Sequence, residues 1–171
     1  MVSSIPMATP WRNAGSSGAG NVTPLRRRHV ISLISLRARP SARRRGAPVV
    51  LIADDTRDTR ELYGMYFASR GFDVLTADDG ESAVQITRDR RPHVVVMDLA
   101  MPRVNGIVAT QWIKQDRRTR RTRVIILTGY PYRAIEQGAL ESGADMFLTK
   151  PCLPEDLERH VREVLKPPAK R

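Results

Sequence analysis

The sequence predicts an α/β domain: a doubly wound, five-stranded parallel sheet with helices on both faces. Two observations predict it. Five short apolar runs alternate with five helix-patterned stretches over about 120 residues, 47–166. The runs are mostly continuous and β-branched, as expected of strands buried on both faces. Right-handed crossovers leave few arrangements for such an alternation, and strand order 2-1-3-4-5 is the compact one.

The elements follow in order. PVVLIA (48–53) is a short, uninterrupted apolar run and reads as a buried strand. TRDTRELYGMYFASR (56–70) has helical period, with Leu62, Met65, Tyr66 and Ser69 on one face and Gly71 closing it. FDVLTA (72–77) alternates as a strand. DGESAVQITRDR (79–90) is a helix with an acidic first turn and a basic last one, the order the macrodipole favours. HVVVMD (93–98) is the most strand-like stretch, three valines running into an aspartate.

Asn105 can cap a helix reaching Gln115. RVIILTG (123–129) is a strand, YRAIEQGALES (132–142) a helix and DMFLT (145–149) the fifth strand. Pro154 suits the first turn of a last helix, with Glu155, Asp156 and Glu158 near its positive end. That helix runs to Lys166, where Pro167-Pro168 stops it. A short tail, 167–171, follows.

The net charge of +11 is unevenly placed. Residues 1–46 hold nine arginines and no Asp, Glu or Lys, whereas residues 47–171 hold 20 Lys+Arg against 18 Asp+Glu. The basic character therefore belongs to the N-terminal segment and not to the domain. That segment, with GSSGAG, RRRH and RRR, lacks any sustained period and is predicted to be disordered. It reads as an arm for nucleic acid or anionic lipid, as an organelle transit peptide, or as an extension without function.

A single cysteine, Cys152, excludes an internal disulfide framework and suits a reducing cytoplasm. The longest apolar candidate in the arm, VISLISL (30–36), is far short of the roughly 20 residues a membrane span needs. A soluble, cytoplasmic chain is expected.

In doubly wound sheets, ligands bind beyond the carboxyl ends of the strands. Those ends carry Asp54 and Asp55 after the first strand, Asp98 after the third, Thr128 at the fourth and Lys150 after the fifth. Any one of them is ordinarily a solvated loop residue; all at one edge need a chemical reason. Adjacent carboxylates repel unless a cation lies between them. A small oxygen-lined site that keeps several waters is a Mg²⁺ site. Such a site suits phosphoryl transfer to a carboxylate, with the Lys150 ammonium and Thr128 hydroxyl placed for the phosphoryl oxygens.

These residues carry a resemblance. ADD at 53–55, MDLAMPRVNG at 97–106, LTG at 127–129 and FLTKP at 147–151 stand in the order and at the separations of the receiver domain of two-component response regulators. The resemblance spans 47–166 and implies the flavodoxin-like version of the fold; receivers are themselves a familiar instance of the 2-1-3-4-5 order. It implies that Asp98 is the phospho-acceptor, served by a histidine kinase or phosphotransfer protein. It further implies that Asp54, Asp55 and Asp98, with the backbone carbonyl of Ala100, hold Mg²⁺. Lys150 would pair with the phosphoryl group, held by a Lys150–Pro151 bond that is often cis in the family. Thr128 and Phe147 match the switch pair, and Ala100 and Tyr130 match positions that tune water's access to the acyl phosphate. Gly129 departs from the alanine common there.

No output domain is expected after Lys166, so the chain reads as a stand-alone receiver. It would signal through the fourth helix, fifth strand and fifth helix to a protein partner, or as a homodimer. The basic run DRRTRRTR (116–123) is either a solvated loop or a site for an acidic partner. Three other readings compete: a receiver-regulated nucleic-acid binder using the N-terminal arm, a receiver-like module that works without phosphate, and an aspartyl phosphatase. The last is disfavoured, because Ala100 stands where such enzymes carry a second aspartate.

Overall fold

The structure, a computed structural model, describes residues 46–167. The predicted disordered arm up to residue 45 and the tail from residue 168 lie outside the described residues. Five strands and five helices alternate: β1 Val49–Ala53, α1 Arg57–Ser69, β2 Asp73–Ala77, α2 Gly80–Arg90, β3 Val94–Met97, α3 Gly106–Gln115, β4 Arg123–Thr128, α4 Arg133–Glu141, β5 Met146–Thr149 and α5 Pro154–Leu165. All four strand pairings are parallel, and the order is β2-β1-β3-β4-β5, as the sequence predicts.

The three central strands are buried along almost their whole length, yet their side chains divide strictly between two cores. Leu51, Val95, Met97, Val124 and Ile126 face the core shared with Ala83, Val84, Ala109 and Ile113 of α2 and α3. Val50, Ile52, Val94, Val96, Ile125 and Leu127 face the other, closed by Tyr63, Phe67, Leu157 and Val161 of α1 and α5. The period of two, invisible in runs that are apolar throughout, is thus realised as two layers of helices on one sheet.

One expectation is corrected. The buried face of α1 is not Leu62, Met65, Tyr66 and Ser69: Leu62 and Met65 are exposed, and the core takes Tyr63 and Phe67. The aromatic pair four residues apart fills the space against α5. Tyr66 lies at its border with the hydroxyl donating to Glu158 at 2.9 Å, and Ser69 bonds the Tyr66 carbonyl. Gly71 does close the helix. With φ +87°, it lets its own N–H reach Ala68 O and the N–H of Phe72 reach Phe67 O. The rings of Phe67 and Phe72 meet edge-on at 5.1 Å, the apolar contact that accompanies this cap.

Two helix starts are capped by side chains, Asp79 accepting from Ser82 N and Asn105 from Val108 N. Glu158, expected near the positive end of α5, has a larger duty. It is buried and accepts from Tyr66, Arg70 and Arg162, tying α5 to α1. Asp145 does the same elsewhere, accepting from Lys114 of α3 and from Arg123 and the Val124 amide of β4.

Candidate functional site

β1 and β3 end side by side, so Asp54 and Asp98 leave the sheet as neighbours; the Asp98 amide still donates to Ala53 O at 2.8 Å. Both are buried, at 3% and 5% exposure, unusual for aspartates and tolerable only with partners. β5 supplies one. Lys150, whose own amide donates to Thr128 O, extends its ammonium to 2.7 Å from Asp54 Oδ2 and 3.2 Å from Asp98 Oδ1. The peptide bond that follows, Lys150–Pro151, is cis, as the resemblance implies.

The remaining oxygens are placed by the backbone. Asp54 Oδ1 accepts from Thr56 N at 2.9 Å, and Asp98 Oδ2 accepts from Ala100 N at 3.1 Å. Thr128 is fully buried at the end of β4, its hydroxyl oxygen accepting from Tyr130 N at 3.3 Å. Phe147 is partly buried against the α2–α3 core, while Tyr130 is half exposed. Leu99, Ala100, Asn105, Ile107, Tyr130 and Ile135 line an apolar cavity that begins at the residues after Asp98.

Burial raises the pKa of Asp98 above the ordinary carboxyl value; Lys150 pulls it down, but the neighbouring Asp54 charge adds to the rise, and the rise wins. Burial pulls Lys150 the other way, yet its bonds to Asp54 and Asp98 prevail and its pKa is raised. One firmly protonated ammonium therefore sits between two buried carboxylates. Lys150 thus bridges Asp54 and Asp98; it does not reach Asp55, the other member of the adjacent pair for which the sequence reading expected a shared divalent cation.

Asp55 stands apart. It is exposed, and its carboxylate accepts only from the Thr56 hydroxyl at 3.3 Å. Accordingly, among the described residues no three metal-ligating side chains are gathered into a metal cluster. The donor chemistry still fits a hard divalent ion: Asp54, Asp55, Asp98 and the Ala100 carbonyl offer oxygen alone.

The sequence reading missed three supports. Arg60 donates to the backbone carbonyls of Asp54 (2.7 Å) and Asp55 (3.0 Å), fixing the acidic pair from the first turns of α1. Its signal was a cation six residues after the first aspartate. Arg103, in the left-handed conformation at φ 64°, forms an ion pair with Asp79 and approaches Asp78 and Glu81, clamping the loop after β3 to the start of α2. Tyr63 donates to Cys152 O at 2.8 Å, and burial pushes its hydroxyl up to about 12. No local pattern announces the last two, since their partners are distant in sequence or set by loop geometry.

Comparison with known proteins places these residues in a family. Residues 50–162 match the family described as the response regulator receiver domain. Among curated relatives, ycf27 of Guillardia theta, named a probable transcriptional regulator, is 35% identical over 117 residues, covering 68% of this chain and 45% of that protein. The phosphate regulon transcriptional regulatory protein PhoB of Pseudomonas aeruginosa is 30% identical over 117 residues, 68% of this chain and 51% of its own. The chain spans about half the length of these two relatives. The polar-differentiation response regulator DivK of Brucella anthropi is 26% identical, covering 60% of this chain and 83% of DivK. Among solved structures, the chemotaxis response regulator CheY4 of Vibrio cholerae superposes with a TM-score of 0.66 at 26% identity, over 69% of this chain and 98% of that one. A chain of the CheX–CheY–BeF3–Mg²⁺ complex of Borrelia burgdorferi gives a TM-score of 0.66 at 28% identity, over 70% and 90%.

Proposed function

The chain belongs to the response regulator receiver family of two-component signalling systems, and on that premise we propose that it accepts a phosphoryl group on Asp98 and signals by a conformational switch. The observation that carries this reading is the bridge from Lys150 to two buried aspartates at the ends of neighbouring strands. A structural ion pair needs one carboxylate; the second, Asp98, lies at the carboxyl ends of the strands, where ligands bind in such sheets. The receiver is taken as residues 47–166, with residues 1–46 as a basic arm and 167–171 as a tail.

In the proposed reaction, an ionised Asp98 oxygen attacks the phosphorus of a phosphohistidine on a histidine kinase or phosphotransfer protein. The P–N bond breaks, imidazole leaves and an acyl phosphate forms. Asp54, Asp55, Asp98 and the Ala100 carbonyl would hold Mg²⁺, which neutralises phosphoryl oxygens and polarises phosphorus for in-line attack when bound. Lys150 trades its contact with the Asp98 carboxylate for the phosphoryl oxygens. The Thr128 hydroxyl, committed only to the Tyr130 amide, is free to donate to a phosphoryl oxygen, and Phe147 follows inward.

The chain catalyses only its own phosphorylation and dephosphorylation. Output passes through α4, β5 and α5 to a protein partner or a second copy. Tyr132 and Leu140 of that region are exposed apolar residues. Among the described residues no helix is long and apolar enough to cross a membrane, and a cytoplasmic site of action is part of the same proposal. Any contact with nucleic acid would fall to the N-terminal arm and is not part of this reading.

Intact mass after treatment with acetyl phosphate and Mg²⁺ tests the reading. A gain of one phosphoryl group is expected, absent without metal and absent in Asp98→Asn. No gain from acetyl phosphate or from a phosphorylated phosphotransfer protein would replace this reading with a phosphate-independent interaction module, for which the exposed Asp55 speaks.

A further inference from the structure

The opposite edge of the sheet carries a second concave site. Its cavity, about 330 Å³, lies where the chain enters β3 and β4 and where α5 ends. Arg91, His93, Arg118, Arg121, Arg123 and Lys166 line it, and among the described residues no carboxylate does. Two of these arginines have acidic partners outside the lining: Arg123 pairs with Asp145, which also holds Lys114, and Arg118 with Asp116, which also holds Arg88. Among the described residues, Arg91, Arg121 and Lys166 have no carboxylate partner.

The site is built rather than slack. Within DRRTRRTR, Thr119 and Thr122 are buried, their hydroxyls donating to Ile113 O at 2.8 Å and Pro92 O at 3.0 Å. Lys114 adds a bond to Thr122 O at 2.9 Å. Inward threonines leave Arg118 and Arg121 exposed at the rim. Arg91 caps α2 at φ 48°, ψ 63°, a left-handed position that glycine takes more readily. His93 Nδ1 accepts from Val49 N at 2.9 Å, which leaves Nε2 as the N–H donor of the neutral ring.

Helix polarity alone does not account for this charge. α2, α3 and α5 end nearby, each with roughly half a negative charge. Together they offset about one and a half positive charges, whereas three cations of the lining, Arg91, Arg121 and Lys166, remain once Arg118 and Arg123 are matched with Asp116 and Asp145. Val164, Leu165 and Pro167 add an apolar wall, next to which charges interact more strongly.

We propose that this pocket binds a compact polyphosphate anion, recognised through its phosphates. Guanidinium forks match phosphoryl oxygens two at a time. Three cations without a carboxylate partner call for several negative charges in a small volume, which a di- or triphosphate chain supplies. Among the described residues the lining has no Phe, Tyr or Trp on which a base would stack, and its one ring, His93, is tied by Nδ1 to Val49 N, so a nucleic-acid strand is the poorer occupant. The site stands off from Asp98 by the length of β3, four residues or about 13 Å, and does not compete with it.

Calorimetric titration of the full chain in metal-free buffer tests this, with inorganic tripolyphosphate, a nucleoside triphosphate and a single-stranded oligonucleotide as probes. Three proteins are compared: wild type, Arg91→Glu/Arg121→Glu, and an arm variant with Arg43, Arg44 and Arg45 replaced by Gln. Saturable one-to-one tripolyphosphate binding is expected in wild type and the arm variant, weakened about tenfold or more by the pocket reversal. Equal affinity for the nucleoside triphosphate identifies the phosphate chain as the ligand; tighter binding of it identifies the nucleotide as the source. Arg121→Gln, a neutral change at an exposed residue, repeats the test should the double reversal perturb folding. The proposal is overturned by absent saturation, by binding that follows the arm variant only, or by an oligonucleotide held more tightly than triphosphate and lost with the pocket charges.

Discussion

The ammonium of Lys150 lies 3.2 Å from Asp98 Oδ1, and Asp98 nonetheless keeps its proton to a higher pH than an ordinary carboxyl. Burial and the Asp54 charge outweigh the attraction. Between the ordinary value of 3.8 and the raised one, the folded chain binds more protons than the unfolded chain. Stability therefore falls as pH rises through that interval, and the deficit persists at neutral pH. Asp98→Asn is expected to be more stable than wild type in chelator at pH 7, by roughly 1 kcal/mol or about 4 °C in Tm. Thermal unfolding at pH 7 and pH 3 checks this; an unchanged or lower Tm at pH 7 would show that Asp98 is not held at a cost.

Asp145 has the opposite sign. Burial raises it, but hydrogen bonds from Lys114, the Val124 amide and Arg123 together hold its pKa below 3.8. Its contribution is present above pH 3.8 and is lost as pH falls through the depressed value. Asp145→Asn should cost roughly 2 kcal/mol at pH 7, because two cations lose their shared partner. Denaturant midpoints measured down the acid range should converge with wild type. A gap that stays constant to pH 2 would mean that the loss is one of shape and not charge.

A Cβ at Gly106 would overlap the carbonyl oxygen of Asp98, a clash with backbone that no rotamer relieves. Gly106→Ala should destabilise by roughly 2–4 kcal/mol and displace the loop that carries Asp98. Phosphorylation by acetyl phosphate should fall in the fraction that stays folded. Gly138→Ala, where only the tip of Ile107 is near, serves as the control and should be neutral or slightly stabilising.

Tyr130 and Ala100 both line the cavity next to Asp98, one with a bulky ring and the other with only a methyl group. On the proposed function, Tyr130→Ala opens a path for water and shortens the acyl phosphate lifetime, by roughly threefold to tenfold. The decay of the phosphorylated mass with time measures it. An unchanged lifetime would remove Tyr130 from the tuning positions and leave it a surface residue.

The sheet and its order were legible because β1, β3 and β4 are apolar on both faces, which few alternatives to a covered parallel sheet can satisfy. Strand ends were legible too, since a polar residue after an apolar run is a local signal. Helix α1 was not: Leu62 and Met65 fit the same periodicity as Tyr63 and Phe67, and only the α5 surface decides which stripe is buried. Asp54, Asp98, Thr128 and Lys150 could be listed in advance, but their spacing could not. Rotamers of exposed side chains, such as that of Asp55, are set by solvent and by whatever cation is present. Arg103, the clamp on the loop after β3, depends on a left-handed backbone that an arginine gives no sign of adopting.

Acidic side chains crowd one end of the strands and unpaired guanidinium groups the other, so the domain has an electrical long axis. A molecule with such a moment is turned by the field of a charged partner before the surfaces touch. Cationic donors would meet the Asp98 end first, and polyanions the far end, so that the two encounters sort themselves by orientation. Raising the ionic strength to about 1 M, where screening reaches only about 3 Å, should abolish this alignment while leaving the contacts that follow it in place.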